Sequence, residues 1–308
     1  MAKRKSKKKN ISFVAVIAAV LVFIASFIAE EAGVWDNTLD NVSNDSFLSS
    51  VDKDTNILDA YFIDVGQGDC SLFVSNGKTM LIDSGESENA DTVIQTISKM
   101  GIEKLDYAVA THAHSDHMGS MAEIITEFDV GTILISEPCQ DSSETLTYER
   151  FLDAAENSGA EILLAEPDYT FSLGYAECTV LSPSEVSSNE NNNSVVIYIS
   201  AGKTSFLLTG DAEKKIEKEI MKAYPDLTAT ILKVGHHGSS KSSYADFVSQ
   251  LSPETAIIQC GLNNKYGHPH KETVSLLKTL NITYYRNDIC GTINVSCTPD
   301  SYTVTTEK

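Results

Sequence analysis

Cysteine, proline, tryptophan and positive charge are all scarce in this chain. Six Cys spread over 308 residues exclude a disulfide-stapled scaffold. Cys70, Cys139, Cys178, Cys260, Cys290 and Cys297 form no CxxC pair, so a zinc ribbon and a thioredoxin-like motif are both missing. Free buried thiols are the plain expectation, and Cys290 with Cys297 is the one pair that a hairpin would bring together. The 17 Gly follow no three-residue period, which excludes collagen, and no heptad run suggests a coiled coil. Repeats of propeller or solenoid length are absent too. Only 23 basic residues stand against 43 acidic ones, a net charge of −20, which excludes a generally basic nucleic-acid-binding surface. What the chain does have is 42% hydrophobic residues, enough for a packed core and too many for disorder throughout. Its length suits one large domain or two small ones.

The charge is unevenly placed. Residues 1–10 carry Lys3, Arg4, Lys5, Lys7, Lys8 and Lys9 and no acid. Residues 11–29 (ISFVAVIAAVLVFIASFIA) carry no charge and are apolar except for Ser12 and Ser26. At ~1.5 Å per residue, a helix of that length crosses most of a ~30 Å hydrocarbon core. The basic flank predicts a cytoplasmic tail, a single-pass anchor in membrane lipid, and an outward-facing remainder. The rival reading is a cleaved secretory signal, which would leave a secreted form; the run is long for that and lacks a clean A-x-A end. Residues 30–56 are polar and acidic and read as a linker. Residues 57–308 read as the globular domain.

Within that domain short apolar runs alternate with helical patterns. Strands are predicted at 57–65, 70–75, 79–84, 105–111, 131–136, 161–165, 178–182, 195–200, 204–210, 228–235 and 255–260. Helices are predicted at 88–100, 117–128, 144–158, 213–223, 243–251 and 270–280. A meander first and βα units later suggest an α/β fold of stacked sheets flanked by helices. The Asn-rich stretch 187–193 (SSNENNN) reads as a flexible surface turn.

All seven His fall into three clusters, at 112/114/117, 236/237 and 268/270. Thr111-His112-Ala113-His114-Ser115-Asp116-His117 follows a buried strand. Extended backbone sends His112 and His114 to one side, where they can grip one ion, while Asp116 and His117 can grip a second. Imidazole with carboxylate is a ligand set for divalent metal, zinc first and manganese second. The competing reading is a polar loop in which Asp116 merely caps a helix. Leu207-Leu208-Thr209-Gly210-Asp211 ends a strand in an acid able to bridge two metals, and Leu232-Lys233-Val234-Gly235-His236-His237-Gly238-Ser239 again puts His at a strand end. Asp64-Val65-Gly66-Gln67-Gly68-Asp69 and Ile82-Asp83-Ser84-Gly85 are strand-end turns with acids, which simple turn chemistry explains equally well.

FIDVGQGDC, LIDSG, THAHSDHMG, LLTGD, LKVGHHGSS and GLNNKYGHPH occur in that order across 62–270. Together they resemble the metallo-β-lactamase fold superfamily, and most of all the extracellular hydrolase domain of ComEC-type DNA-uptake competence proteins. The resemblance spans about 57–300 and implies a four-layer αββα sandwich. It implies a first metal site of His112, His114 and Asp211 and a second of Asp116, His117, Asp211 and His237. Asp83 would orient the cluster from behind. The superfamily usually adds a third His to the first site. Residues 118–235 contain none, so Asn192 or Asn193 is the substitute expected there, and classical β-lactamase activity is disfavoured. His236 is a lesser candidate ligand than His237. Asp116, His268 and His270 are the candidate catalytic residues, the two histidines for contacting phosphate or protonating a leaving oxygen.

Two divalent ions held by few carboxylates leave a positive site that suits a phosphodiester monoanion. Residues 229–290 carry a net charge of +2 while residues 30–228 carry −27. Ser239, Lys241 and Lys265 are therefore candidate substrate contacts. The expected activity is phosphodiester hydrolysis, with DNA as the substrate that the resemblance implies and no stable protein partner. The alternatives are an esterase for phosphocholine or other envelope phosphodiesters, cued by Glu213 two residues past Asp211, and a catalytically degenerate binding domain. The topology is directly testable. Protease added to intact cells is expected to digest the domain beyond residue 57 and spare the lysine tail; the reverse pattern overturns the orientation.

Overall fold

Residues 55–308 are described by a computed structural model. The expected tail, the anchor at 11–29 and nearly all of the linker lie outside the described residues. Among the described residues no helix is long and apolar enough to cross a membrane.

Two sheets make the frame. The first holds β1 (Leu58–Phe62), β2 (Ser71–Ser75), β3 (Lys78–Ile82), β4 (Lys104–Ala110), β5 (Asp129–Ile135), β6 (Glu161–Leu164), β14 (Ile293–Cys297) and β15 (Tyr302–Thr306), in the order β15-β14-β1-β2-β3-β4-β5-β6. The second holds β7 (Thr170–Leu173), β8 (Ala176–Ser182), β9 (Val196–Ala201), β10 (Thr204–Leu208), β11 (Ile231–Lys233), β12 (Thr255–Ile258) and β13 (Thr283–Arg286), in the order β13-β12-β11-β10-β9-β8-β7. β3 to β6 run parallel, and so do β10 to β13.

The period of two along each strand divides its apolar residues between two cores. Phe206, Leu208, Ile231 and Ile257 face the other sheet, where they meet Phe62, Phe73, Met80 and Val109. Phe73 bridges the layers, edge-on to Phe62 at 6.2 Å and to Phe206 at 5.6 Å between ring centres. The alternate residues Leu207, Leu232, Ala256 and Ile258 face outward onto the helices Lys214–Ala223, Ala245–Leu251 and Lys271–Thr279. Helices Ala90–Lys99, Met121–Glu127 and Leu146–Ser158 cover the first sheet, completing four layers, αββα.

Several expectations are corrected. The helix expected over 117–128 is two pieces, Ser115–Met118 and Met121–Glu127. Between them the Ser120 hydroxyl donates to Glu86 O, and Gly119 lies against the backbone of Glu86 and Ser87 with no room for a Cβ. β7, β13 and β15 lie outside the predicted strands, because their Thr-, Ser- and Tyr-rich alternation is weak in apolar signal, and so does β14, whose INVSC run is short but alternates apolar and polar residues. Cys297 ends β14 while Cys290 closes the helical turn Asn287–Cys290 that precedes that strand, and all six thiols are free.

One buried acid in the outer layer is testable. Glu217 is fully buried, and its carboxylate accepts the backbone N–H groups of Ser243 and Tyr244. Burial pushes its pKa up from 4.5 to about 7, against the pull of those two donors. Between those values the folded state keeps a proton that the unfolded state has lost, so stability falls as pH rises through that window, by ~3 kcal/mol. Glu217→Gln is expected to flatten this fall in urea midpoint against pH; an unchanged slope would exonerate Glu217.

Candidate metal centre

The parallel strands of both sheets end at one edge, and the chemistry-bearing turns follow those ends. β4 leads into Thr111–His117, β10 into Gly210-Asp211, and β11 into the turn Gly235–Gly238. The backbone is strained there: Asp83, His236 and His237 all adopt left-handed φ, at 59°, 52° and 53°. Gly68 lets the first turn press against the histidine loop, because a Cβ would stand 2.4 Å from Asp116 O.

His112 Nε2 lies 2.9 Å from His114 Nδ1, so these two rings share one side of the loop. His117 Nε2 lies 3.2 Å from Asp211 Oδ1, and His237 Nε2 lies 3.6 Å from the same oxygen and 3.1 Å from Asp116 Oδ2. His236 Nε2 approaches the other oxygen of Asp211 at 3.6 Å. Two groups result whose ligand atoms fall within 4.8 Å of one another: Asp69, His117, Asp211 and His237, and His112, His114 and Asp211. Asp211 is common to both. Asp211 Oδ1, His117 Nε2 and His237 Nε2 are buried, yet none is aligned in a hydrogen bond. Buried polar atoms are ordinarily paired, and orphans facing a common point fit a divalent cation.

Proximity puts Asp69 in the group with His117 and His237, but orientation puts it behind. It lies on the Nδ1 side, 3.1 Å from His237 Nδ1 and 3.8 Å from His117 Nδ1, and it pairs with the buried Lys233. Asp116 lies on the Nε2 side of His237. An imidazole that turns Nε2 to a metal gives its Nδ1–H to a backing acceptor; for His237 that acceptor is Gln259 O at 3.1 Å, with Asp69 beside it as a supporting charge, so Asp116 is the better ligand. Asp83 supports in the same way. It accepts the Thr111 N–H, the Thr111 hydroxyl and His117 Nδ1, each at 2.8 Å. Glu190 holds the loop from the other side, accepting the N–H groups of Ala113 and Cys139 at 2.8 Å each.

The electrostatics ask for positive charge at this point. Burial alone would lower His237, but Asp211 and Asp69 raise it to about 10. His117 is likewise raised against its burial, by Asp211, Asp83 and Asp116. Asp116 and Asp211 are lowered despite burial by those imidazolium charges. His112 moves down, through burial first and then His117.

The open cleft beside the cluster is about 260 Å³ and includes Gln67, Asp116, Asn191, His236, Tyr266 and His268 on its walls. Asn192 and Asn193 do not face it. The expected surface turn is a buried 3₁₀ turn, Glu190–Asn193, in which Asn192 Oδ1 caps the Glu213 N–H and Asn193 bonds to Ser187 and Glu190. Asn191 takes the cleft position instead, 3.4 Å from His236 Nδ1. His268 lines the cleft with Nδ1 buried and unpartnered; burial first, then His237, His236 and His270, push its pKa down to about 4. His270 is turned away, its Nδ1 accepting the Ser240 N–H at 3.0 Å and its Nε2 3.3 Å from Tyr266 O. Ser239 is buried in its own turn, the exposed Lys241 is 3.5 Å from Glu213, and Lys265 lies over the Tyr266 ring. Lys233, counted above as local positive charge, is spent on Asp69. Sequence reasoning missed Asp69, Glu190, Asn191, Lys233 and Tyr266 as site residues. Each lies in a stretch the sequence had marked — Asp69 in a strand-end turn, Glu190 and Asn191 in the Asn-rich run, Lys233 and Tyr266 in the LKVGHHGSS and GLNNKYGHPH motifs — but none was assigned a role there.

The sequence profile of the metallo-beta-lactamase superfamily matches residues 63–261. The chain belongs to this superfamily. It is 34% identical over 252 residues to "ComE operon protein 3" of Bacillus subtilis (strain 168), covering 75% of this chain and 32% of that protein. It is 27% identical over 233 residues to "Competence protein ComA" of Neisseria gonorrhoeae, covering 75% of this chain and 31% of that one. This superfamily member thus spans about a third of the length of these curated relatives. Among solved structures, "CmlA, a diiron beta-hydroxylase from Streptomyces venezuelae" superposes with TM-score 0.52 at 15% identity, over 79% of this chain and 54% of that one, a likeness of fold alone.

In this superfamily member Asp83→Asn is expected to weaken metal affinity about 10–100-fold, since it removes the acceptor that orients His117. Competition with a chromophoric chelator measures it; wild-type affinity in the variant would deny Asp83 that role.

Proposed function

We propose that this chain is a membrane-anchored, outward-facing hydrolase of phosphodiesters, acting on DNA, with two divalent cations, zinc first and manganese second. The observation that carries the metal reading is the set of buried, unpaired atoms around Asp211. His112, His114 and Asp211 would hold one ion, and Asp116, His117, Asp211 and His237 the other. When bound, such ions supply positive charge for a phosphoryl group and lower the pKa of water. The similarity to competence proteins supports DNA as substrate and the outer face of the membrane as location.

The protein's own groups divide the remaining work. Asp83, Asp69 and Glu190 hold the histidines in place. Asn191 and Gln67 offer neutral hydrogen-bonding groups along the cleft. His268, unpartnered at Nδ1, is the group proposed to protonate the leaving oxygen, opposite an anionic substrate that offsets its cationic neighbours. His270 holds the loop. The cue for phosphocholine is weakened: Glu213 accepts from Asn189 at 3.0 Å, lies 3.5 Å from Lys241, and does not line the cleft. A degenerate binding domain would have little reason to keep so many unpaired buried ligand atoms.

The test is a metal-loaded activity panel on the full chain, with DNA, RNA, bis-p-nitrophenyl phosphate, p-nitrophenyl phosphorylcholine and a β-lactam. We expect two metals per chain by elemental analysis, loss of both in Asp211→Ala, and hydrolysis confined to the phosphodiesters. Full activity in metal-free protein ends the reading. His268→Ala should lower kcat by ~10²–10⁴-fold on an alkoxide leaving group and much less on p-nitrophenolate. His270→Ala should affect both alike. Equal losses in His268→Ala would remove the proton-donor role.

A further inference from the structure

Three near-parallel rings run from the buried cluster to the surface. His237 stacks with His268 at 6.1 Å and 30°, and His268 stacks with Tyr266 at 5.6 Å and 21°. His237 is 1% exposed and Tyr266 is 49% exposed, so the series ends in an open aromatic ring on the wall of the cleft. An exposed Tyr is ordinary by itself. This one ends a ring series that starts at the proposed metal centre, and it is held still.

Asn264 staples the loop that carries it. Asn264 Oδ1 accepts the N–H groups of Tyr266 at 3.2 Å and His268 at 2.9 Å, while its Nδ2 donates to Gly261 O at 2.9 Å and His268 O at 2.6 Å. The Tyr266 carbonyl is 3.3 Å from His270 Nε2. Gly238 allows the loop to dock on the His236-His237 turn, since a Cβ would stand 2.5 Å from Pro269 Cβ. A pre-positioned ring gives a planar ligand contact area at little entropic cost. Beside it is the fully exposed Lys265, whose Nζ lies 4.9 Å from the ring centre. A planar group arriving on the ring would displace that ammonium sideways, and a phosphate attached to the same group would give it a new partner.

We propose that Tyr266 is a stacking platform for the nucleobase beside the phosphate in the cleft, which makes unpaired nucleic acid the preferred substrate. Stacking needs a free base face, which an intact duplex does not offer, and the cleft wall, which includes Asp116 and Asp211 and no Lys or Arg, provides no basic track for a duplex backbone. The inference rests on the phosphodiesterase reading above, but its test is made on binding as well as on turnover.

Binding to the full chain is measured by fluorescence anisotropy with phosphorothioate-linked oligothymidylate, an abasic strand of equal length, and a duplex of that length. Tyr266→Ala is expected to weaken oligothymidylate binding by about 5- to 100-fold, the usual worth of one stacked base. It should leave the abasic strand unchanged, and Tyr266→Phe should bind like wild type. On turnover, Tyr266→Ala should raise KM for thymidine 5′-(p-nitrophenyl phosphate) far more than for methyl p-nitrophenyl phosphate, which has no base to stack. Equal losses on thymidylate and abasic strands, or tighter wild-type binding of duplex, overturn the platform. A loss confined to p-nitrophenyl phosphorylcholine also overturns it, by giving the ring to a quaternary ammonium. Base-selective binding without hydrolysis of any phosphodiester would instead sink the catalytic reading and leave the platform standing.

Discussion

The carboxylate of Asp211 is the point on which the site depends. It is 2% exposed and meets imidazoles that arrive from both sheets, His117 behind β4 and His237 behind β11. A buried carboxylate is costly unless opposite charge surrounds it. Here Asp211 and the imidazoles of His117 and His237 depend on one another, as donors that a shared divalent cation would balance. Such mutual dependence requires every contributing loop to reach the same end of the sandwich. The register meets that requirement, since Leu208 pairs with Lys233 and Ile82 with Val109, so each sheet's parallel strands stop level with their neighbours.

Behind the cluster, buried acids serve as supports rather than as ligands. Asp83 takes one imidazole N–H and two groups of Thr111. Asp69 faces two histidines and is balanced by Lys233, a pair whose halves are each costly to lose alone, by ~3–5 kcal/mol. Glu190 holds the backbone between His112 and His114. The surplus of acid in this chain is therefore partly internal. The walls of the cleft carry His, Asp, Asn, Gln, Ser and Tyr in place of a basic surface. That choice of side chains is the physical basis for expecting recognition by metals and stacking in preference to long-range attraction.

Much of the frame was legible before any coordinates. Apolar runs such as TSFLLTG and TAIIQC announce buried strands, and His112, His114, Asp116, His117, Asp211 and His237 gather as their strand-end positions suggested. Short-range geometry was less legible. A 3₁₀ turn advances about three residues per revolution, so neighbouring Asn side chains point in very different directions. Which one reaches the cleft is set by the anchoring of Glu190 to Ala113 and Cys139, far away in sequence. The same holds for His268 and His270, whose roles are divided by Asn264 and Ser240.

The sequence by itself determined the order of the motifs, the αββα class, the superfamily and the residue types able to bind metal. The motif order and the residue types follow from local chemistry and periodicity, while the αββα class and the superfamily follow from the resemblance of those motifs to known proteins. Tertiary structure alone decided that Lys233 neutralises Asp69, that Asn191 rather than Asn192 or Asn193 faces the cleft, and that Tyr266 ends a stacked series. Those facts depend on contacts between residues far apart along the chain, where a rotation of one turn or one ring changes the partner, and no local pattern encodes that angle.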